Sequence, residues 1–108
     1  MKGMNDLLRQ AQMMQSKLLK AQEAAGERTV EATSGGGRVR VVCSGKQELQ
    51  SIRIDKEAVN QDDVDMLQDL VLAAVNEALR QARSMMEQEM NSLTGGLKIP
   101  GLFPPGME

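Results

Sequence analysis

The chain has 108 residues, a single Cys, nine Met, a single Phe, and no Trp, Tyr or His. Its formal net charge is −2 and its sequence pI is near 5.2, which argues against a strongly basic nucleic-acid binder taken as a whole. One Cys excludes an intrachain disulfide framework and fits a reducing cytosol. The length is that of one domain whose core must be thin, built from aliphatic residues and Met, so a partner subunit is expected. No apolar run is long enough for a signal peptide or a membrane-spanning helix, so the expected setting is cytoplasmic.

In chain order, residues 3–25 read as a helix with a heptad seam. Met4, Ala11, Leu18 and Ala25 share one position of the seven, and Leu7, Met14 and Ala21 share another. Leu8 widens the stripe. The other faces carry Gln10, Gln12, Gln15 and Gln22 with Arg9, Lys17 and Lys20, and Gly26 is placed to cap the helix.

The period then changes. Residues 29–34 form a weak strand with Val30 and Ala32 on one face, followed by the turn Ser34-Gly35-Gly36-Gly37. Residues 38–44 alternate, with Val39, Val41 and Cys43 on one face and Arg38, Arg40, Val42 and Ser44 on the other. Gly45-Lys46 starts another turn. In the third strand, residues 49–54, Ile52 and Ile54 are in phase while Leu49 is not, which predicts a bulge. A three-stranded antiparallel meander results, too small to stand without a helix or second sheet against it.

Residues 61–93 make the longest periodic stretch. Val64, Leu67, Leu70, Val71, Ala74, Val75, Ala78, Leu79, Ala82, Met85 and Met86 follow helical spacing, and the interior has no Gly or Pro. Asp62, Asp63 and Asp65 suit the positive N-terminal turn, and Asn91, Ser92, Thr94 and Gly95-Gly96 close the helix. Such a rod is about 45–50 Å long, so part of it must project or pack on a partner. The domain is read as residues 1–94, and residues 95–108, with three Pro and four Gly, as a flexible tail.

Charge is uneven. Residues 1–25 carry four cations against two acids, a net of +2; residues 27–57 carry six against five, a net of +1. Residues 61–93 carry only Arg80 and Arg83 against seven acids, a net of −5, with four of those acids before residue 70. If the two helices pack antiparallel, Arg80 and Arg83 come near the cations of the first helix.

Catalytic readings find little support. Without His, the commonest general base and metal ligand is missing. The Gly35–Gly37 run lacks the Gly-Lys-Ser/Thr ending of a phosphate loop. Asp62, Asp63 and Asp65 do not match a Ca²⁺-loop pattern and are better explained as capping. Cys43, in phase with Val39 and Val41, reads as a small buried hydrophobe. The Met13-Met14 and Met85-Met86 pairs read as packing residues. No enzyme, cofactor or metal is expected.

Several fragments together resemble the YbaB/EbfC family of bacterial nucleoid-associated DNA-binding proteins, nearly end to end. They are Leu8-Arg9-Gln10-Ala11-Gln12-Met13-Met14-Gln15, then Gly35, Gly37, Val39, Val41 and Gly45, then Ile52, Ile54 and Asp55. They continue through Asp65-Met66-Leu67-Gln68-Asp69-Leu70-Val71 and Ala73-Ala74-Val75-Asn76-Glu77-Ala78 to Gly95-Gly96-Leu97, Pro100-Gly101 and Pro105-Gly106.

The resemblance implies an α+β chain of order α-β-β-β-α, a homodimer formed through the sheet region with projecting helical arms, and double-stranded DNA as partner. It implies DNA contacts on the first and last helices, which in this chain fall on Arg9 and on the face near Arg80 and Arg83. Charge adds Lys17 and Lys20. Val39, Val41, Ile52, Ile54, Leu67 and Val71 are expected in the core or dimer contact. The expected function is low-specificity duplex binding that contributes to nucleoid organisation and gene regulation. Lack of aromatics counts against single-stranded targets, where bases stack on Phe, Tyr or Trp. The alternative is a helical adaptor or chaperone-like module whose heptad seam and Met-rich faces bind another protein.

Overall fold

A computed structural model describes residues 2–94, with side chains from Gly3 to Leu93. The order is α1 (Lys2–Glu27), β1 (Thr29–Ser34), β2 (Val39–Ser44), β3 (Leu49–Ile54) and α2 (Val64–Thr94). The three strands form one antiparallel sheet in the order β1-β2-β3. A left-handed glycine turn at Gly35–Gly37 links β1 to β2, and a short 3-10 turn at Lys56–Ala58 lies between β3 and α2. The closing residues of the expected flexible tail, 95–108, lie outside the described residues.

α2 covers one face of the sheet along β1 and β2. Ala74, Ala78 and Ala82, one turn apart and fully buried, let the helix backbone sit close on Ala32, Val39, Val41 and Cys43. Val30, Leu70, Val71, Val75 and Leu79 close the margins. Val39 and Val41 are wholly removed from water, a contribution of about 1.5–3 kcal/mol each. Burial also pushes the Cys43 thiol pKa up, so the buried-hydrophobe reading of this residue stands.

Polar contacts set the ends. The Ser34 hydroxyl donates to the Leu70 carbonyl at 2.6 Å, tying the end of β1 to the early part of α2. Asp63 is the residue that caps α2, accepting from the Met66 N–H at 3.1 Å, while Asn60 accepts from Asp62 N–H at 3.0 Å. Three successive left-handed glycines make the β1–β2 turn, with φ of 60°, 69° and 91° at Gly35, Gly36 and Gly37.

The bulge falls where the phase of Leu49 places it: Val42 faces Ser51 but Cys43 faces Leu49, leaving Gln50 as the extra residue. One expectation needs correcting. Gly26 is not a left-handed cap, for α1 continues to Glu27; Gly26 is buried because Lys46 lies across it. Ile52 and Ile54 do not join the core of the chain. Val39 and Val41 do, but Ile52 and Ile54 are 45% and 41% exposed, and Leu67 and Val71 only half-buried. The reason is geometric: α2 spans β1 and β2, so β3 extends beyond its cover.

The molecule is far from spherical. Its radius of gyration is 19.7 Å, against about 13 Å for a compact chain of this length. The longest extent, 75 Å, exceeds the ~46 Å of a 31-residue α2, and α1 supplies the difference.

Candidate nucleic-acid interface

The direction of α1 is set at a joint. Gly45, in the β2–β3 turn, is buried, and its N–H donates to the Arg28 carbonyl at 2.9 Å. A Cβ at Gly45 would lie 2.1 Å from the Ala25 carbonyl oxygen, so the turn and the helix end meet backbone to backbone. Outside the joint, Arg28 pairs with Glu89 on α2. From there only the end of α1 packs on α2. Leu18, Ala21, Ala25 and Gly26 are its only described residues that are not exposed.

The rest of α1 is a free rod. Arg9, Lys17 and Lys20 are all exposed, and none joins the ion pairs of the described residues, Arg28–Glu89 and Arg80–Glu77. At about 100° per residue the three fall within an arc of about 80°, on the side opposite the heptad seam. Asp6 falls inside the same arc, one turn before Arg9, and Glu23 lies about 40° outside it, one turn after Lys20. Three cations therefore form one stripe about 16 Å long on a surface nothing else covers.

Arg80 and Arg83 are placed differently. Both are exposed, facing away from the sheet on the stretch of α2 that covers it. Arg80 is already engaged by Glu77 one turn back, with its Nε donating at 3.0 Å and its Nη2 at 2.5 Å. Gln81 donates to the same carboxylate at 3.1 Å. These hydrogen bonds, that from Arg80 foremost, hold the Glu77 carboxyl at a pKa of about 2, and Glu77 in turn raises the pKa of Arg80.

The two groups do not merge. The helices meet only over the end of α1. Lys20 lies five residues, about 7 Å, from Ala25, and Arg9 sixteen residues, about 24 Å. Arg9 is therefore far out on the arm while Arg80 and Arg83 stay at the level of the sheet. The three-residue spacing of Glu77 and Arg80 permits the pair but does not by itself announce it, since Asp6–Arg9 and Lys20–Glu23 have the same spacing and form no ion pair among the described residues.

On the other side of the molecule, Ile54, Leu67, Gln68, Val71, Leu72 and Val75 line an open apolar groove of ≈ 440 Å³ between β3 and α2. Among the described residues no group of three or more His, Cys, Asp or Glu is arranged to hold a metal ion, and no helix is long and apolar enough to cross a membrane.

Known proteins match along most of the chain. The profile of the YbaB/EbfC DNA-binding family covers residues 1–97. A nucleoid-associated protein of Desulforamulus reducens is 60% identical over 101 residues, covering 94% of this chain and 96% of the relative. One from Pelotomaculum thermopropionicum is 56% identical with the same coverage. The crystal structure of uncharacterized protein HP0035 from Helicobacter pylori shares the fold with a TM-score of 0.70 at 21% identity, covering 82% of this chain and 94% of that one. A helix, three antiparallel strands and a long helix, matched along their length by these relatives, show that the chain belongs to the YbaB/EbfC family of nucleoid-associated DNA-binding proteins.

Proposed function

We propose that this chain binds double-stranded DNA as a homodimer, with low sequence specificity, and contributes to nucleoid organisation and gene regulation in the bacterial cytoplasm. The observation that carries the reading is the stripe of Arg9, Lys17 and Lys20 on an uncovered rod. Cations spaced along a rod contact phosphates, release counterions and position a protein without reading bases. The target is duplex because no aromatic side chain is available among residues 2–94 to stack on an unpaired base.

Dimerisation is supported by the apolar surface that one chain leaves open. β3 is an edge strand whose six residues are all exposed; its Ile54 lines the groove along α2, and Ile52 is exposed two residues before it. An uncovered apolar edge invites pairing with a further strand, and a second copy supplies one with matching chemistry. Leu67 and Val71 sit in the same contact.

A salt series in fluorescence anisotropy tests the reading. Wild type should bind a generic duplex more tightly than a single strand, with affinity falling steeply with salt. Replacing Arg9, Lys17 and Lys20 together by Ala should flatten the salt dependence by about one unit of slope per lost phosphate contact. Arg80→Ala/Arg83→Ala should flatten it less, since Glu77 already occupies Arg80. No duplex binding by a folded dimer at low salt would overturn the proposal. That outcome favours the adaptor reading, which has its own support in the exposed Met4, Leu7, Leu8, Met13 and Met14 of the arm.

A further inference from the structure

β2 and β3 are in register with Arg40 directly opposite Arg53, and Thr33 completes the rung on β1. Alternation sends Val39, Val41 and Cys43 into the core, so Arg40 points to the opposite face, and Arg53 stands between the inward-phased Ile52 and Ile54. Both arginines are exposed on the face of the sheet that α2 leaves open. Like charges directly opposite on neighbouring strands destabilise the pair, because their Cβ atoms are only about 5 Å apart. Neither arginine takes part in the ion pairs of the described residues. Arg40 instead turns its Nε to the Gly37 carbonyl at 3.4 Å, a long contact.

The surroundings are built to receive an anion. Arg40, Arg53, Ser51, Val42 and Glu31 line one depression of ≈ 290 Å³. Glu31 lies two rungs away on the same face, opposite Val42, and its single negative charge leaves the depression at net +1. At the edge of the same face, Arg38 stands where the Asp55 N–H donates to its carbonyl at 2.8 Å, so one further cation and one further acid border the rung. The planar guanidinium fork matches phosphate oxygens in a way that a lysine does not.

We propose that the open face of the sheet is a second phosphate-contact surface for duplex DNA, with Arg40 and Arg53 as the contacting pair. This rests on the duplex-binding reading above. The apolar groove assigned to the second copy lies on the other face of β3, so dimerisation leaves the arginine pair accessible. A DNA phosphate relieves the repulsion between the two guanidinium groups, which form no ion pair among the described residues and which Glu31 offsets only in part.

The test compares full-length wild type with Arg40→Gln/Arg53→Gln and Arg40→Lys/Arg53→Lys in duplex anisotropy across a salt series, with fold and oligomeric state measured for each. Loss of two phosphate contacts should lower the slope of log K against log salt by about two in the Gln variant. The Lys variant should keep the slope and lose affinity. If the double Gln variant fails to fold, Arg53→Gln alone, on the edge strand, should still lower the slope by about one. A folded Gln variant with wild-type slope overturns the inference. So does a variant that loses only its self-association, which would make this face a contact between copies. Absence of duplex binding in wild type overturns the underlying reading instead, so the two failures are distinguishable.

Discussion

α1 and α2 are both long helices with an apolar stripe, yet their stripes meet different fates. α2 buries Ala74, Ala78, Ala82 and Met85 against the sheet and the base of α1, whereas α1 leaves Met4, Leu7, Leu8, Met13, Met14 and Leu19 between 46% and 65% exposed. The contrast comes from what each helix meets rather than from periodicity. α2 carries small residues at one-turn intervals, so its backbone can lie on the sheet, and its chain entry point near Ser34 sets it along β1. α1 is joined to the sheet only at its last turns, through Ala25, Gly45 and Arg28, and everything beyond them is lever. The buried helix supplies stability; the free one carries an exposed cationic stripe.

The comparison breaks most sharply at the joint. Gly45→Ala puts a methyl 2.1 Å from the Ala25 carbonyl, so the turn or the helix end must shift. We expect a loss of about 3 kcal/mol or more in denaturant unfolding, and a shorter-range but still helical α1 by circular dichroism and small-angle scattering. Wild-type stability and dimensions in this variant would show that the close approach does not fix the arm.

Next comes the packing contrast itself. Ala78→Leu overfills the contact of α2 with the sheet and should cost about 1–3 kcal/mol. Leu7→Ala, on the free arm, should change unfolding by no more than about 0.5 kcal/mol in the single chain. Equal costs would mean that the arm stripe is covered in solution.

The smallest effect sharpens the electrostatic difference between the helices. Glu77→Gln frees Arg80 and removes an acid from α2, so duplex affinity should rise modestly and the salt slope steepen by up to about one contact. In the native protein the Glu77 carboxyl should titrate near pH 2 by NMR. Its folded pKa is depressed, so its contribution to stability is full above the ordinary carboxylate range and is lost as pH falls toward about 2. That contribution is small, because the Glu77 side chain is 39% and the Arg80 side chain 63% exposed. An ordinary pKa at Glu77 would remove the reason for ranking Arg80 below the α1 cations.

Much of this was legible from residues alone. Strand phase placed Val39, Val41 and Cys43 inside, and the misfit of Leu49 announced the bulge at Gln50. Helical spacing and the Asp cluster located α2 to within a few residues, with Asp63 the one that caps. Arg9, Lys17 and Lys20 were legible as solvent-facing cations because a seam excludes them. The rest depended on long-range placement. Ile52 and Ile54 have the phase of core residues, but phase names a face and not what covers it. Gly26 has the look of a cap, yet its part is to admit Lys46. Arg40 and Arg53 are thirteen positions apart, and only strand register brings them opposite.

What the sequence determined by itself is local: the periods of the two helices, the alternation of the strands, the left-handed glycine turn and the cation stripe of α1. These follow from short-range sterics and from which side chains avoid water, and neighbouring residues suffice to set them. The tertiary structure alone decided that α2 shields two strands and not three, that α1 departs from the sheet at Gly45, and that one arginine is spent on Glu77 while another faces Arg53. Those outcomes depend on how close backbones can approach and on distances between residues far apart in the chain.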